Sequence, residues 1–120
     1  MFNFEKLEAW RKAISPANAV YAATKTFPPD ERFGLTNQLR RAAVSISSNL
    51  AEGCSRSSQA DFARYVEIAA GSAFEVASQV IIARDQGYLN ETDFKLIQEA
   101  ALEITRMLSG LRQTLLRHKD

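Results

Sequence analysis

The stretch Glu91-Thr92-Asp93-Phe94-Lys95-Leu96-Ile97-Gln98-Glu99-Ala100-Ala101-Leu102-Glu103-Ile104-Thr105-Arg106-Met107-Leu108-Ser109-Gly110-Leu111 decides the fold class. Phe94, Ile97, Ala101, Ile104, Leu108, Leu111 and Leu115 recur at alternating spacings of three and four. That is one face of a helix and a nearly unbroken heptad pattern. Asn90 precedes the pattern as a cap, with Asp93 three residues on. The helix frays into Arg117-His118-Lys119-Asp120, whose basic character suits the negative pole of the helix dipole.

Working backward, Phe62, Val66, Ala69, Ala73, Val76, Val80 and Ala83 form a second heptad-like stripe. Ser57 or Ser58 caps it, Asp61 lies in its first turn and Gly87 closes it. Before that come Leu35, Leu39, Ala42, Ile46 and Leu50, in a helix that starts near Pro29 or Asp30 and is ended by Gly53 and the Ser55-Arg56-Ser57-Ser58 cluster. The first helix is expected to bury Leu7, Trp10, Ile14, Ala17, Tyr21 and Thr24. Pro16 sits inside that pattern and predicts a kink or break near Ala13–Ser15. Pro28-Pro29 stops the helix.

Four helices are thus expected over about 4–27, 29–55, 58–86 and 91–117, in a single domain spanning 1–120. The connections are a few residues long, so consecutive helices run antiparallel. The fold class is all-α: an antiparallel up-down four-helix bundle with long helices and short loops.

Composition agrees with a globular bundle. Of 120 residues, 46% are hydrophobic and 24% charged, and Gly and Pro are too few for long linkers. No apolar run approaches the roughly 18 residues of a membrane span, and the N-terminus lacks signal-peptide blocks. With the single Cys54, these absences predict a cytoplasmic protein without a membrane partner. The net charge of +1 gives no global basic field, although the N-terminal half is mildly basic.

Catalytic chemistry has little to stand on. The only histidine, His118, is at the terminus, so Cys54 and the serines have no base nearby. No metal-ligand spacing and no glycine-rich phosphate loop is present. The sequence predicts a protein that is not an enzyme and uses no metal or cofactor.

Three features remain. Gln38, Arg41, Ser45, Asn49 and Glu52 form a polar stripe bordering the apolar one, with a partial counterpart in Ser72, Glu75 and Gln79. One reading is a hydrogen-bonded network that sets register, inside the bundle or between subunits; the other is a ligand site. Ala69-Ala70-Gly71-Ser72-Ala73 is a run of small residues, for which close approach of another helix is a sufficient reason. Ala70, Phe74, Ala77 and Ile81 make a second apolar stripe, which suits a subunit interface or a wide core face. Finally, Lys6, Arg11, Lys12, Arg40, Arg41 and Arg56 are candidates for phosphate contact, although adjacent Arg40 and Arg41 point about 100° apart on a helix.

The stretch Gln38-Leu39-Arg40-Arg41-Ala42-Ala43-Val44-Ser45-Ile46, continuing to Asn49-Leu50-Ala51-Glu52-Gly53, resembles the signature of the four-helix-bundle proteins encoded in intervening sequences of bacterial 23S rRNA genes. Leu7-Glu8-Ala9-Trp10, Phe27-Pro28, Glu31-Arg32-Phe33-Gly34-Leu35, Ala70-Gly71-Ser72-Ala73-Phe74-Glu75 and Gly87-Tyr88-Leu89 agree, in order along nearly the whole chain. Pro16 departs from the uninterrupted first helix that the resemblance implies. The resemblance implies a barrel-shaped homopentamer. It also implies a relation to the accessory proteins of diversity-generating retroelements, which bind nucleic acid and a reverse transcriptase through a basic surface. Most members have no demonstrated activity. The functional expectation is a homo-oligomer that binds RNA or DNA without strong sequence specificity; the alternative is a scaffold for a protein partner with no nucleic-acid ligand.

Overall fold

The computed structural model describes residues 1–117; the expected fraying over His118-Lys119-Asp120, and the position of the single histidine, lie outside the described residues. Four helices make up the chain: α1 Glu8–Thr24, α2 Leu35–Cys54, α3 Gln59–Asp85 and α4 Glu91–Arg117. Two 3-10 turns, Asn3–Lys6 and Pro29–Glu31, precede α1 and α2. α1 packs on α2 and α4, and α3 packs on the same two helices, while the diagonal pairs stay apart. The result is a four-helix bundle measuring 48 × 22 × 21 Å, as expected when 27-residue helices of about 40 Å lie side by side.

The last two helices start where side chains can satisfy their orphan amides. Ser58 Oγ accepts from the Asp61 amide at 3.0 Å, and Asn90 Oδ1 accepts from the Asp93 amide at 2.7 Å. α3 ends at Asp85, and Gly87 two residues on has the left-handed φ of 81° that lets the chain turn away.

The first two helices depart from expectation. α1 is not one helix over 4–27, because Leu7 is extended and separates the Asn3–Lys6 turn from the helix proper. Nor does α1 break before Pro16; it runs unbroken from Glu8 to Thr24 with Pro16 buried inside it. Packing on both sides holds the backbone helical despite one missing donor. The buried face of α1 is also turned. Ala9, Ala13, Pro16, Val20 and Ala23 are buried, each one residue before an expected position; of the expected positions, Ala17 and Thr24 are buried too, whereas Leu7, Trp10 and Ile14 are half-buried and Tyr21 is exposed. Small residues let α1 lie close to its neighbours and leave Trp10 and Ile14 at the margin.

α2 begins at Leu35 rather than near Pro29. Pro29, Asp30 and Glu31 form their own turn, and Glu31 Oε1 then accepts from the Leu35 amide at 3.0 Å. A carboxylate four residues upstream thereby does the work of an N-cap, since Gly34 has no side chain to do so. α2 ends at Cys54, where its expected stop lies, but Gly53 is not the terminating residue. It is a buried helical residue, and a Cβ there would lie 2.8 Å from the Phe62 ring and 3.0 Å from Tyr65 Cβ. Its role is to let α3 approach. Gly71 has no such role, because a Cβ there would meet nothing within 4 Å.

Leu39, Ile46 and Leu50 of α2, Val66, Val76 and Val80 of α3, and Ile97, Ile104 and Leu108 of α4 fill the core. By length and composition α3 is apolar enough to cross a membrane, which the sequence reading did not anticipate. Its core face accounts for much of that character, because every stripe residue from Val66 to Ala83 is buried between α2 and α4.

Candidate functional site

The polar stripe of α2 meets its counterpart on α3 along the α2–α3 seam. Ser72 Oγ donates to Ser45 Oγ at 2.8 Å, and Asn49 Nδ2 donates to Ser45 Oγ at 2.9 Å and to the Ser45 carbonyl at 2.8 Å. Buried hydroxyls thus find partners within one chain. Above this knot the seam opens into a groove of about 350 Å³ lined by Asn37, Gln38, Arg41, Ser45, Ser72 and Glu75. Glu52 belongs to neither. It lies at the far end of α2, where its Oε2 accepts from Arg56 Nη2 at 2.8 Å.

A second groove, of about 380 Å³, runs along the other side of α2 and is lined by Tyr21, Arg41, Val44, Ser45 and Ser48. Arg41 and Ser45 border both grooves, so they form the ridge between them. Arg41 is exposed and has no hydrogen bond or ion pair among the described residues. Its neighbour Arg40 is committed. Arg40 Nε donates to Thr24 Oγ1 at 2.8 Å, and its guanidinium lies 4.6 Å from the centre of the Tyr21 ring. That stack holds Tyr21 against the bundle while leaving the residue 43% exposed.

The six candidate cations do not gather into one patch. Arg40 and Arg41 lie beside Tyr21, toward one end of the bundle. Arg56 lies just beyond the far end of α2, whose stretch from Arg41 to Cys54 alone spans about 20 Å by helical rise. Lys6, Arg11 and Lys12 are at that distant end, which Asn3 ties to α2 by donating to the Cys54 carbonyl at 3.1 Å. Lys12 pairs with Glu103 at 3.4 Å, and Arg56 pairs with Glu52, also donating to Tyr65 Oη at 2.7 Å. Arg11 donates to the Glu5 carbonyl at 3.5 Å, and Lys6 has no ion-pair partner among the described residues.

The α3–α4 seam has the opposite character. Phe74 stands 66% exposed, with Ala70 and Ala77 on α3 and Leu102, itself 51% exposed, on α4. Small residues on either side of Phe74 leave two hollows, of about 510 and 140 Å³. The larger hollow is bordered by the Glu67–Arg112 ion pair (3.2 Å). The second apolar stripe is therefore not core. Gln98 Oε1, at the smaller hollow, is buried without a hydrogen-bond partner.

Nothing in this arrangement assembles a nucleophile. Burial pushes the Cys54 thiol up from its ordinary value, which reduces its thiolate fraction. Among the described residues, no three His, Cys, Asp or Glu side chains cluster as metal ligands. Sequence reasoning missed Tyr21, which it assigned to the core, and Ser48. The available signal was the spacing of Arg41, Val44 and Ser48 along one outer face of α2.

The fold and its two α2 grooves define a helical-bundle protein with polar surface features rather than a deep pocket. The chain belongs to the 23S rRNA-intervening sequence protein family, whose sequence profile matches residues 5–110. Among solved structures it is similar to a protein of unknown function from the S23 ribosomal protein family of Bacteroides thetaiotaomicron. The TM-score is 0.79 at 22% identity, over 88% of this chain and 98% of that one. At that identity the likeness speaks for the fold. No curated protein matches.

Proposed function

We propose that this chain is a non-enzymatic, cytoplasmic homo-oligomer that binds nucleic acid through phosphate contacts centred on Arg41. The observation that carries the reading is the ridge itself. Arg41 is an exposed, unpaired guanidinium bordering two grooves, with the hydroxyls of Ser45 and Ser48 and the ring of Tyr21 beside it. A free guanidinium beside hydroxyls suits phosphate oxygens and carries no sequence code. Lys6 and Arg11 supply weaker contacts at the other end, whereas Lys12, Arg40 and Arg56 are occupied by partners within the chain.

Filter binding to a structured RNA at low and moderate salt tests this. Binding at low salt should weaken steeply as salt rises. Arg41→Glu should cost more affinity than Lys12→Glu or Arg56→Glu, because the latter two residues are already paired. An absence of binding at low salt, or binding indifferent to Arg41→Glu, rejects the proposal.

Assembly is supported by the α3–α4 seam, where Phe74 and Leu102 expose apolar surface next to open hollows. A ring, a pentamer as the family resemblance implies, would repeat each Arg41 ridge and multiply a weak contact. Sedimentation should give an oligomer for the wild type and a folded monomer for Phe74→Asp. A protein-interaction scaffold is the second reading, favoured by the same apolar seam. It predicts a wild-type monomer and a protein partner that survives nuclease treatment and is lost with Phe74→Asp.

A further inference from the structure

We infer that the Arg41 ridge takes an unpaired single strand rather than a duplex, with a base laid against Tyr21 and the adjoining phosphate on Arg41. This rests on the nucleic-acid reading above and narrows it to one ligand class.

Phosphate contacts alone do not distinguish a duplex from a single strand, because both present phosphates outward. The aromatic ring does. A duplex keeps its base faces stacked inside, so an exposed ring on a groove wall has nothing to stack upon there. An unpaired strand offers every base face, and stacking on aromatic side chains is how sequence-tolerant single-strand binders hold it. Tyr21 is fitted for this. The Arg40 stack at 4.6 Å and the Arg40–Thr24 hydrogen bond at 2.8 Å hold the ring in place before a ligand arrives. The groove it walls, about 380 Å³, is in the range of clefts that hold single small ligands.

The phosphate side is equally specific. Ser45 Oγ is engaged by Ser72 and Asn49 in the seam, which fixes the side chain at the groove's edge. Ser45 lines the same groove as Arg41 and Ser48. The Arg41 guanidinium and the exposed Ser48 therefore line one groove with the ring.

Fluorescence anisotropy with one unstructured RNA oligonucleotide, alone and annealed to its complement, tests the inference. The single strand should bind roughly tenfold or more tightly than the duplex at the same salt. Tyr21→Leu should weaken single-strand binding by a comparable factor and so remove the preference over the duplex, while Tyr21→Phe retains it. Circular dichroism of Tyr21→Leu establishes that the helices are intact. Equal or tighter binding of the duplex, or a helical Tyr21→Leu that binds single strand like the wild type, overturns the inference and leaves the nucleic-acid reading standing. Failure of the wild type to bind either form overturns both.

Discussion

The two seams of α3 are built on opposite terms. Toward α2, the backbones approach closely at Gly53, and the polar atoms of Ser45, Asn49 and Ser72 are partnered within the chain. Toward α4, the outer edge is apolar, hollowed and capped by an exposed Phe74; a buried glutamine oxygen is unpartnered on each helix, Gln79 of α3 and Gln98 of α4. A helix of one composition faces both ways. A seam that satisfies itself can be cut only by substitution inside it, whereas a seam left open can change without unfolding the chain. The α2–α3 seam is therefore the part that specifies the bundle, and the α3–α4 edge is the part free to meet something else.

The largest expected effect falls on the closed side. Ile46→Ala, at a fully buried position of α2, should destabilise the chain by about 2–5 kcal/mol in urea unfolding. Leu102→Ser on the open side should change the stability of the dispersed monomer by less than about 0.5 kcal/mol. Similar losses at both sites would erase the contrast.

Two glycines sharpen it with opposite signs. Gly53→Ala gains helix propensity but drives a methyl onto the Phe62 ring and Tyr65 Cβ. Overpacking of about 1–3 kcal/mol exceeds the propensity gain of about 1 kcal/mol, so a net loss is expected. Gly71→Ala meets nothing within 4 Å and should stabilise by about 0.5–1 kcal/mol. Thermal melts of the two variants decide.

Ser72→Ala removes the donor to Ser45 and should cost about 1 kcal/mol by chemical denaturation. The smallest effect concerns pH. Tyr88 is raised above its ordinary 10.0 by burial first, and then by its hydrogen bond to Glu31 and the negative charges of Glu31 and Asp30. The protonated phenol is thus favoured by folding. Its contribution is present below the unfolded value and is lost as pH rises through the folded one. Stability should decline at alkaline pH in the wild type and decline less in Tyr88→Phe, as denaturant midpoints across that range would reveal.

Much of the bundle was legible in the chain. The α3 and α4 stripes are long and regular, and their capping residues, Ser58 and Asn90, sit where the pattern begins. The α1 face was misread because alanines dominate it. With several weakly apolar positions on every side, the larger Trp10, Ile14 and Tyr21 drew the stripe toward themselves, yet close packing favoured the small residues. The start of α2 was misread because its cap is Glu31, a side chain reaching back from the preceding turn. Of the site, the polar stripe was visible as spacing on α2. Its division into a knot at Ser45, a ridge at Arg41 and a distant ion pair at Glu52 was not.

The number of helices, their periodicity, and the polar and apolar surplus beyond one core face are all carried by spacing along the chain. Which cations are free and which aromatic is exposed depends instead on how the helices pack. Arg40 and Arg41 are neighbours of identical chemistry, but a rotation of about 100° sends one onto Thr24 and Tyr21 and leaves the other at the ridge. Partners so distant along the chain are set by how α1 lies against α2, and packing against both neighbours fixes that placement.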